Sequence, residues 1–250
     1  MEPAALPEAT APAPPPASWW TLGAYLGGGI GVFVLASLLL GFAARGEITL
    51  GVSALAYLIN VLCLGGAAYL FGVRRQRQTW AEFGLRPFHW SWLLLAVSIT
   101  LLLLPIRMAV GVVVQLAFGG MDDMQGRMAV IAPAGFSWAA FLVTLLGVGL
   151  LAPVAEEFYF RGLIHRWAMT RFGFWPRLLF SSALFALGHI DAAGVVAASF
   201  IMGLVLAAVF ERSRSLWVSI LIHVTNNSLA VILVYASLGL MKLFPGLGGA

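Results

Sequence analysis

Apolar residues fill this chain in long unbroken blocks, separated by short polar punctuation. The blocks run near Trp19–Ala44, Leu50–Val73, Trp90–Phe118, Trp138–Ile164, Pro176–Ile190, Ala193–Phe210 and Leu216–Leu240. Most reach the roughly 20 apolar residues that a helix needs to cross a bilayer. Strand-like alternation is absent, so the pattern predicts an all-α, polytopic transmembrane helical bundle of about seven spans. The fifth block is short for a span. The third is long and holds Pro105, which predicts a kink. An eighth element follows if Met128–Phe136 forms one.

Positive charge orders the spans. Arg74, Arg75, Arg77 and Arg86 lie between the second and third blocks. Arg166, Arg171 and Arg177 follow the fourth, with Arg161 near its end, and Arg212 and Arg214 lie between the sixth and seventh. Seven alternating spans bring all of these to one side and leave Arg45, Arg127 and Lys242 on the other. The positive-inside rule makes the arginine-rich side cytoplasmic, with the N-terminus inside and the C-terminus outside a plasma or bacterial inner membrane. Trp19, Trp20, Trp90, Trp92, Trp138 and Trp217 flank spans as interfacial anchors.

Composition agrees. The chain is 61% hydrophobic and 10% charged, against about 25% charged for a soluble domain. Its mean hydropathy is +0.97. A net charge of +4, gathered in loops, gives no reason to expect nucleic acid. Cys63 is the only cysteine, so no disulfide forms within the chain. Met1–Ser18 has no Lys or Arg and no apolar core, which argues against a signal peptide and for a disordered Pro/Ala-rich tail. The expected organisation is a tail over 1–18, N-terminal transmembrane helices over 19–135 and a C-terminal group over 136–250. Gly23, Gly27 and Gly31 recur every four residues, a spacing that lets helices approach closely. The chain has no internal repeat of the kind common in transporters.

Against this background, ionisable residues inside spans stand out, because placing them in hydrocarbon costs several kcal/mol. Glu156 and Glu157 are adjacent in the fourth span, and Arg161 follows Glu157 at i+4, where the two share a helix face. Glu156 points about 100° away. One carboxylate can thus be neutralised while its neighbour stays free to react. Adjacent acids in a low dielectric repel, burial disfavours charge on both, and Arg161 opposes these effects. His189 lies in the fifth span, and His223 and Asn227 form an i, i+4 pair in the seventh. At about 1.5 Å per residue from the flanking arginines, all three helices carry their polar groups on the order of 14 to 20 Å deep. A carboxylate beside an imidazole can activate water. A second imidazole and an amide can stabilise an oxyanion. Together they describe attack of water on a carbonyl, most simply a peptide bond.

These residues stand in three ordered motifs: Glu156-Glu157-Phe-Tyr-Phe-Arg161, Phe185-Ala-Leu-Gly-His189 and His223-Val-Thr-Asn-Asn227. The pattern resembles the CPBP family, the CAAX-protease and bacteriocin-processing group of intramembrane endopeptidases, over about Ala152–Ser228. Phe200-Ile-Met-Gly203 and Ser215-Leu-Trp217 are further family-like stretches. The resemblance implies that Glu156 with His189 activates water, that His223 and Asn227 form the oxyanion site, and that Glu157 and Arg161 hold the helix in place. It also makes 136–250 the catalytic core. The implied substrate is a membrane-associated peptide or protein, with prenylated C-a-a-X tails the best-known kind. No cofactor is expected. Zinc is the alternative, with Glu156, His189 and His223 as its ligands, although Asn is a poor zinc ligand. The signatures of other intramembrane proteases are absent: no H-E-x-x-H helix, no G-x-S-G, no embedded Asp pair.

Two other classes could use such residues. A proton-coupled transporter also places Glu and His at mid-membrane, and a membrane scaffold or immunity factor could keep the fold without catalysis. Other polar residues have plainer readings. His89 and His165 read as interfacial, and Asp191 as the N-cap of the next helix. Arg107 lies near the outer end of the third span and should snorkel. Asp122 and Asp123 read as loop residues, and Asn226 as facing another helix or a cavity wall.

Overall fold

A computed structural model describes residues 17–118, 121–133, 135–189 and 192–244, with residues 121–124 described by their backbone alone. Of the tail expected over 1–18, only Ala17 and Ser18 are described, and Asp191 also lies outside the described residues. The described chain is helical. Seven apolar helices form the bundle: α1 (Trp19–Ala43), α2 (Leu50–Arg74), α3 (Ser91–Phe118), α4 (Trp138–Met169), α5 (Phe174–Leu187), α6 (Ala193–Ser213) and α7 (Leu216–Leu243). All but α5 are long and apolar enough to span a membrane. Two short helices, Trp80–Phe83 and Met121–Ile131, follow α2 and α3. Asp122 and Asp123 therefore sit on a helix rather than in a loop.

Local chemistry sets several starts. Ser18, Thr49 and Ser137 each accept a hydrogen bond from the backbone N–H three residues on, capping α1, α2 and α4. Thr79 and Glu82 form a reciprocal capping box on the first short helix. The two bonds that Thr79 gives the Glu82 carboxyl, backbone first, hold it below the usual carboxylate range. Pro105 lies inside α3, which is helical throughout.

The arginine-bearing segments converge on one end of the bundle. Leu216 N–H donates to the Gly84 carbonyl at 2.8 Å, and Arg166 reaches the Glu82 carbonyl at 2.7 Å. Trp167 donates to the Ser18 carbonyl at 2.9 Å and Arg171 to that of Ala17 at 2.7 Å. The start of α1 and the connections α2–α3, α4–α5 and α6–α7 thus share one face, as alternating spans require. His165 lies near this end of α4. It is fully buried, between the Ser181 hydroxyl at 2.8 Å and the Glu211 carboxylate at 2.9 Å, which also takes Arg177.

Packing centres on α4, which touches α1, α2, α5 and α7, while α3 lies along α6 and α7. Wide π-helical turns, Leu145–Leu151 and Phe160–His165, bracket the stretch of α4 that carries the glutamates. Such turns occur often at functional sites. Close approach falls on other glycines than the spaced set in α1. A methyl group at Gly23 or Gly27 would meet nothing, whereas one at Gly29 would overlap the Tyr159 ring, whose hydroxyl donates to the Tyr25 carbonyl at 2.7 Å. A π-helical turn at Gly27–Gly31 shifts which residues face α4. The Phe83 ring is wedged between Gly72 of α2 and Gly162 of α4, with no room for a methyl on either.

Overpacking a core of this kind costs about 1–3 kcal/mol. Gly162→Val should therefore lower the thermal midpoint of the detergent-solubilised protein, while Gly23→Val, placed in open space, should leave it nearly unchanged.

Candidate active site

Glu157 is the centre of the polar cluster. It is fully buried, and its Oε1 accepts from Arg161 Nη1 at 2.9 Å and from His223 Nδ1 at 2.9 Å. The i, i+4 spacing places the first contact, and the approach of α7 to α4 places the second. Arg161 Nη2 continues to the Gly203 carbonyl of α6 at 3.1 Å, and its guanidinium lies 4.6 Å from the centre of the Phe185 ring of α5. Four helices, α4 to α7, are thus tied through one guanidinium and one carboxylate. The close approach at Gly203 needs a glycine, because a methyl there would lie 2.9 Å from Ser182 Cβ.

Glu156 faces elsewhere, as the 100° offset requires. Its Oε2 lies 3.7 Å from Nε2 of His223, the imidazole that the family resemblance assigns to the oxyanion site. At 7% exposure it is the more accessible of the two acids. Because Glu157 takes the Nδ1–H of His223, the neutral ring presents a bare Nε2 towards Glu156. A water about 2.8 Å from both the carboxylate and Nε2 is compatible with their separation. Asn60 of α2 also offers its amide to Glu156.

His223 also opens onto a cavity of about 180 Å³, lined by His189, Asn227, Phe185, Ser199 and Arg107 among others. His189 donates its Nδ1–H to the Phe185 carbonyl at 2.9 Å, so its neutral ring too has Nε2 as the acceptor. Phe185 lies between the imidazoles, tilted against His189 with its centre 4.9 Å away and edge-on to His223 at 5.6 Å. Asn227 donates one amide hydrogen to the Val148 carbonyl at 3.4 Å, and the neighbouring Ser228 donates to Gly149 at 3.1 Å. Both acceptors lie in the π-helical turn before the glutamates. The three motifs thus meet, with His223 at the junction. A larger cavity of about 860 Å³ lies at the arginine-rich end and holds none of these residues.

Arg107 corrects its sequence reading. It does not snorkel outward: Nε donates to the Ala198 carbonyl at 3.2 Å and Nη1 bonds the Asn226 amide oxygen. Helical side chains lean towards the helix N-terminus, which here carries a long arginine from the outer part of α3 down to the level of Asn226. Asn226 is fully buried. Asn60 and Arg107 are the site's neighbours that the motifs do not reveal. Each is a polar residue within an apolar span, the signal that singled out the glutamates.

Zinc would need its donors close together. Among the described residues no three His, Cys, Asp or Glu side chains gather so as to hold a metal ion.

Glu156 thus lies against His223 at the edge of a cavity that His189 and Asn227 also line, an arrangement of carboxylate, imidazoles and amide that can activate water for attack on a carbonyl. Residues 137–229, from the start of α4 into α7, match the family model described as Rce1-like, type II CAAX prenyl endopeptidase. The match leaves α1 to α3 outside it. No curated protein and no solved structure matches the chain.

The two glutamates should separate in a stability measurement. Removing one partner of a buried ion pair costs about 3–5 kcal/mol, so Arg161→Met should markedly lower resistance to unfolding by titrated denaturing detergent. Glu156→Gln, which leaves that pair intact, should unfold close to the wild type.

Proposed function

We propose that the protein hydrolyses a peptide bond of a membrane-associated or prenylated C-a-a-X-type peptide or protein, with Glu156 as the base that activates water. The observation that carries this reading is the division of labour between adjacent acids. Glu157 is committed to Arg161 and His223, while Glu156 lies 3.7 Å from a bare imidazole nitrogen. A water held by Glu156 and His223 Nε2 loses its proton to Glu156 as its oxygen bonds the carbonyl carbon. The carbonyl oxygen takes the negative charge, and the second amide hydrogen of Asn227 is the donor suited to it. When the intermediate collapses, the C–N bond breaks and the Glu156 proton leaves with the nitrogen, with His189 as the imidazole on the substrate side. The Rce1-like family match supports the C-a-a-X class of substrate.

The arginine-rich end would face the cytoplasm, since basic connections are retained there. Substrate would then enter from that side or from the bilayer.

Cleavage of a prenylated C-a-a-X peptide by protein in vesicles tests the reaction. Glu156→Gln should lose about 10²–10⁴-fold in rate, the range for removing a general base, and a chelator should leave wild-type cleavage intact. Loss of activity on chelation, restored by zinc, would overturn the metal-free mechanism, and no cleavage by wild type would overturn the reading itself. For orientation, single cysteines in a Cys63→Ala background report the two ends. Pro87→Cys should be shielded from an impermeant maleimide added outside cells, and Glu47→Cys should be labelled.

A further inference from the structure

The cavity beside His223 holds an arginine that the reaction above does not use. Arg107 sits within a membrane span, yet no carboxylate among the described residues lies within ion-pair distance of it. Its partners are neutral, a backbone carbonyl and an amide oxygen. A guanidinium carries five N–H donors, so these two bonds fix the fork and leave donors for a ligand. Glu156 is the carboxylate that acts on Arg107 from further away. A charge in a low-dielectric setting is costly to leave without a close partner, and a planar fork is matched best by a carboxylate or phosphate.

Position narrows the choice. Arg107 lines the same small cavity as His189, His223 and Asn227. Its partner Asn226 is adjacent to Asn227 and three residues from His223 on α7, a rise of about 4.5 Å. An anion on the fork would therefore lie about one to two extended residues from the scissile bond, at about 3.3 Å each. Arg127 and Ser199 line the same cavity, and the rest of the wall includes Ile131, Val231 and Val234, which suits an apolar side chain beside the anion. Resting on the endopeptidase reading, we infer that Arg107 is a specificity residue: it binds the free C-terminal carboxylate of the substrate.

Two prenylated C-a-a-X peptides, identical except that one ends in a carboxylate and the other in a carboxamide, test this. Wild type should favour the acid by about tenfold or more in kcat/KM, mostly through KM, since a site built to bond a polar group rejects the analogue lacking it. In Arg107→Gln the acid-to-amide ratio should fall towards one. Arg107→Lys, which keeps the charge and loses the fork, should show an intermediate ratio, and it decides the matter if the glutamine variant fails to fold. A merely structural brace would alter both peptides alike and leave the ratio unchanged, which would overturn the inference. Equal cleavage of both peptides by wild type would also overturn it while leaving the endopeptidase reading standing. Cleavage of neither would remove both.

Discussion

A single buried carboxylate oxygen, Oε1 of Glu157, accepts from both Arg161 and His223. Charged groups of this kind are tolerated in a membrane interior only when each has a partner in place. The positions of α4, α6 and α7 are therefore coupled: moving any of them strands a charge or a donor. His223 inherits its tautomer from the same contact. With Nδ1–H spent on Glu157, its other nitrogen is the one turned towards Glu156. The structural acid thus sets the chemistry available beside its neighbour, although it lies too deep to meet a substrate itself.

The surrounding helices are shaped to permit that contact. Gly203 allows α6 to approach α5 closely enough for its carbonyl to take Arg161, and Gly149 lies against Ser228 of α7. The π-helical turns of α4 flank the glutamates, and carbonyls of the first of them receive Asn227 and Ser228. Small residues and irregular turns replace the hydrophobic driving force that is weak between helices in lipid. The aromatic ring of Phe185 fills what remains, touching Arg161 and both histidines.

Much of this was legible in the chain because membrane spans obey one strong rule, satisfaction of every backbone polar group. Helix limits, the common end of the arginine-bearing segments and the Glu157–Arg161 pair all follow from local pattern. Residues whose meaning depends on which way a helix is turned were not legible. His165 looks interfacial by its place near a span end, yet the rotation of α4 buries it against Glu211. The spaced glycines of α1 look like a packing face, yet a π-helical turn directs Gly29 inward instead. Arg107 looks like a snorkelling residue because depth along α3 is readable and side-chain direction is not. The pairing of Glu156 with a particular histidine is likewise a tertiary fact that spacing cannot supply.

The polar wall of the small cavity is electrically one-sided. Arg107, Arg127, His189, His223 and Asn227 line it, and no acidic side chain among the described residues does. The acids lie behind His223, with Glu157 matched to Arg161. Such an arrangement repels cations and stabilises negative charge wherever it develops or arrives. Hydrolysis of an amide develops negative charge on the carbonyl oxygen, and a chain terminus brings it on the carboxylate. In a water-poor interior these interactions are stronger than at a surface. A wall of donors with its base held to one side therefore fits a peptide cleaved close to its end better than it fits proton-coupled transport, in which the acid would lie on the path of the moving proton.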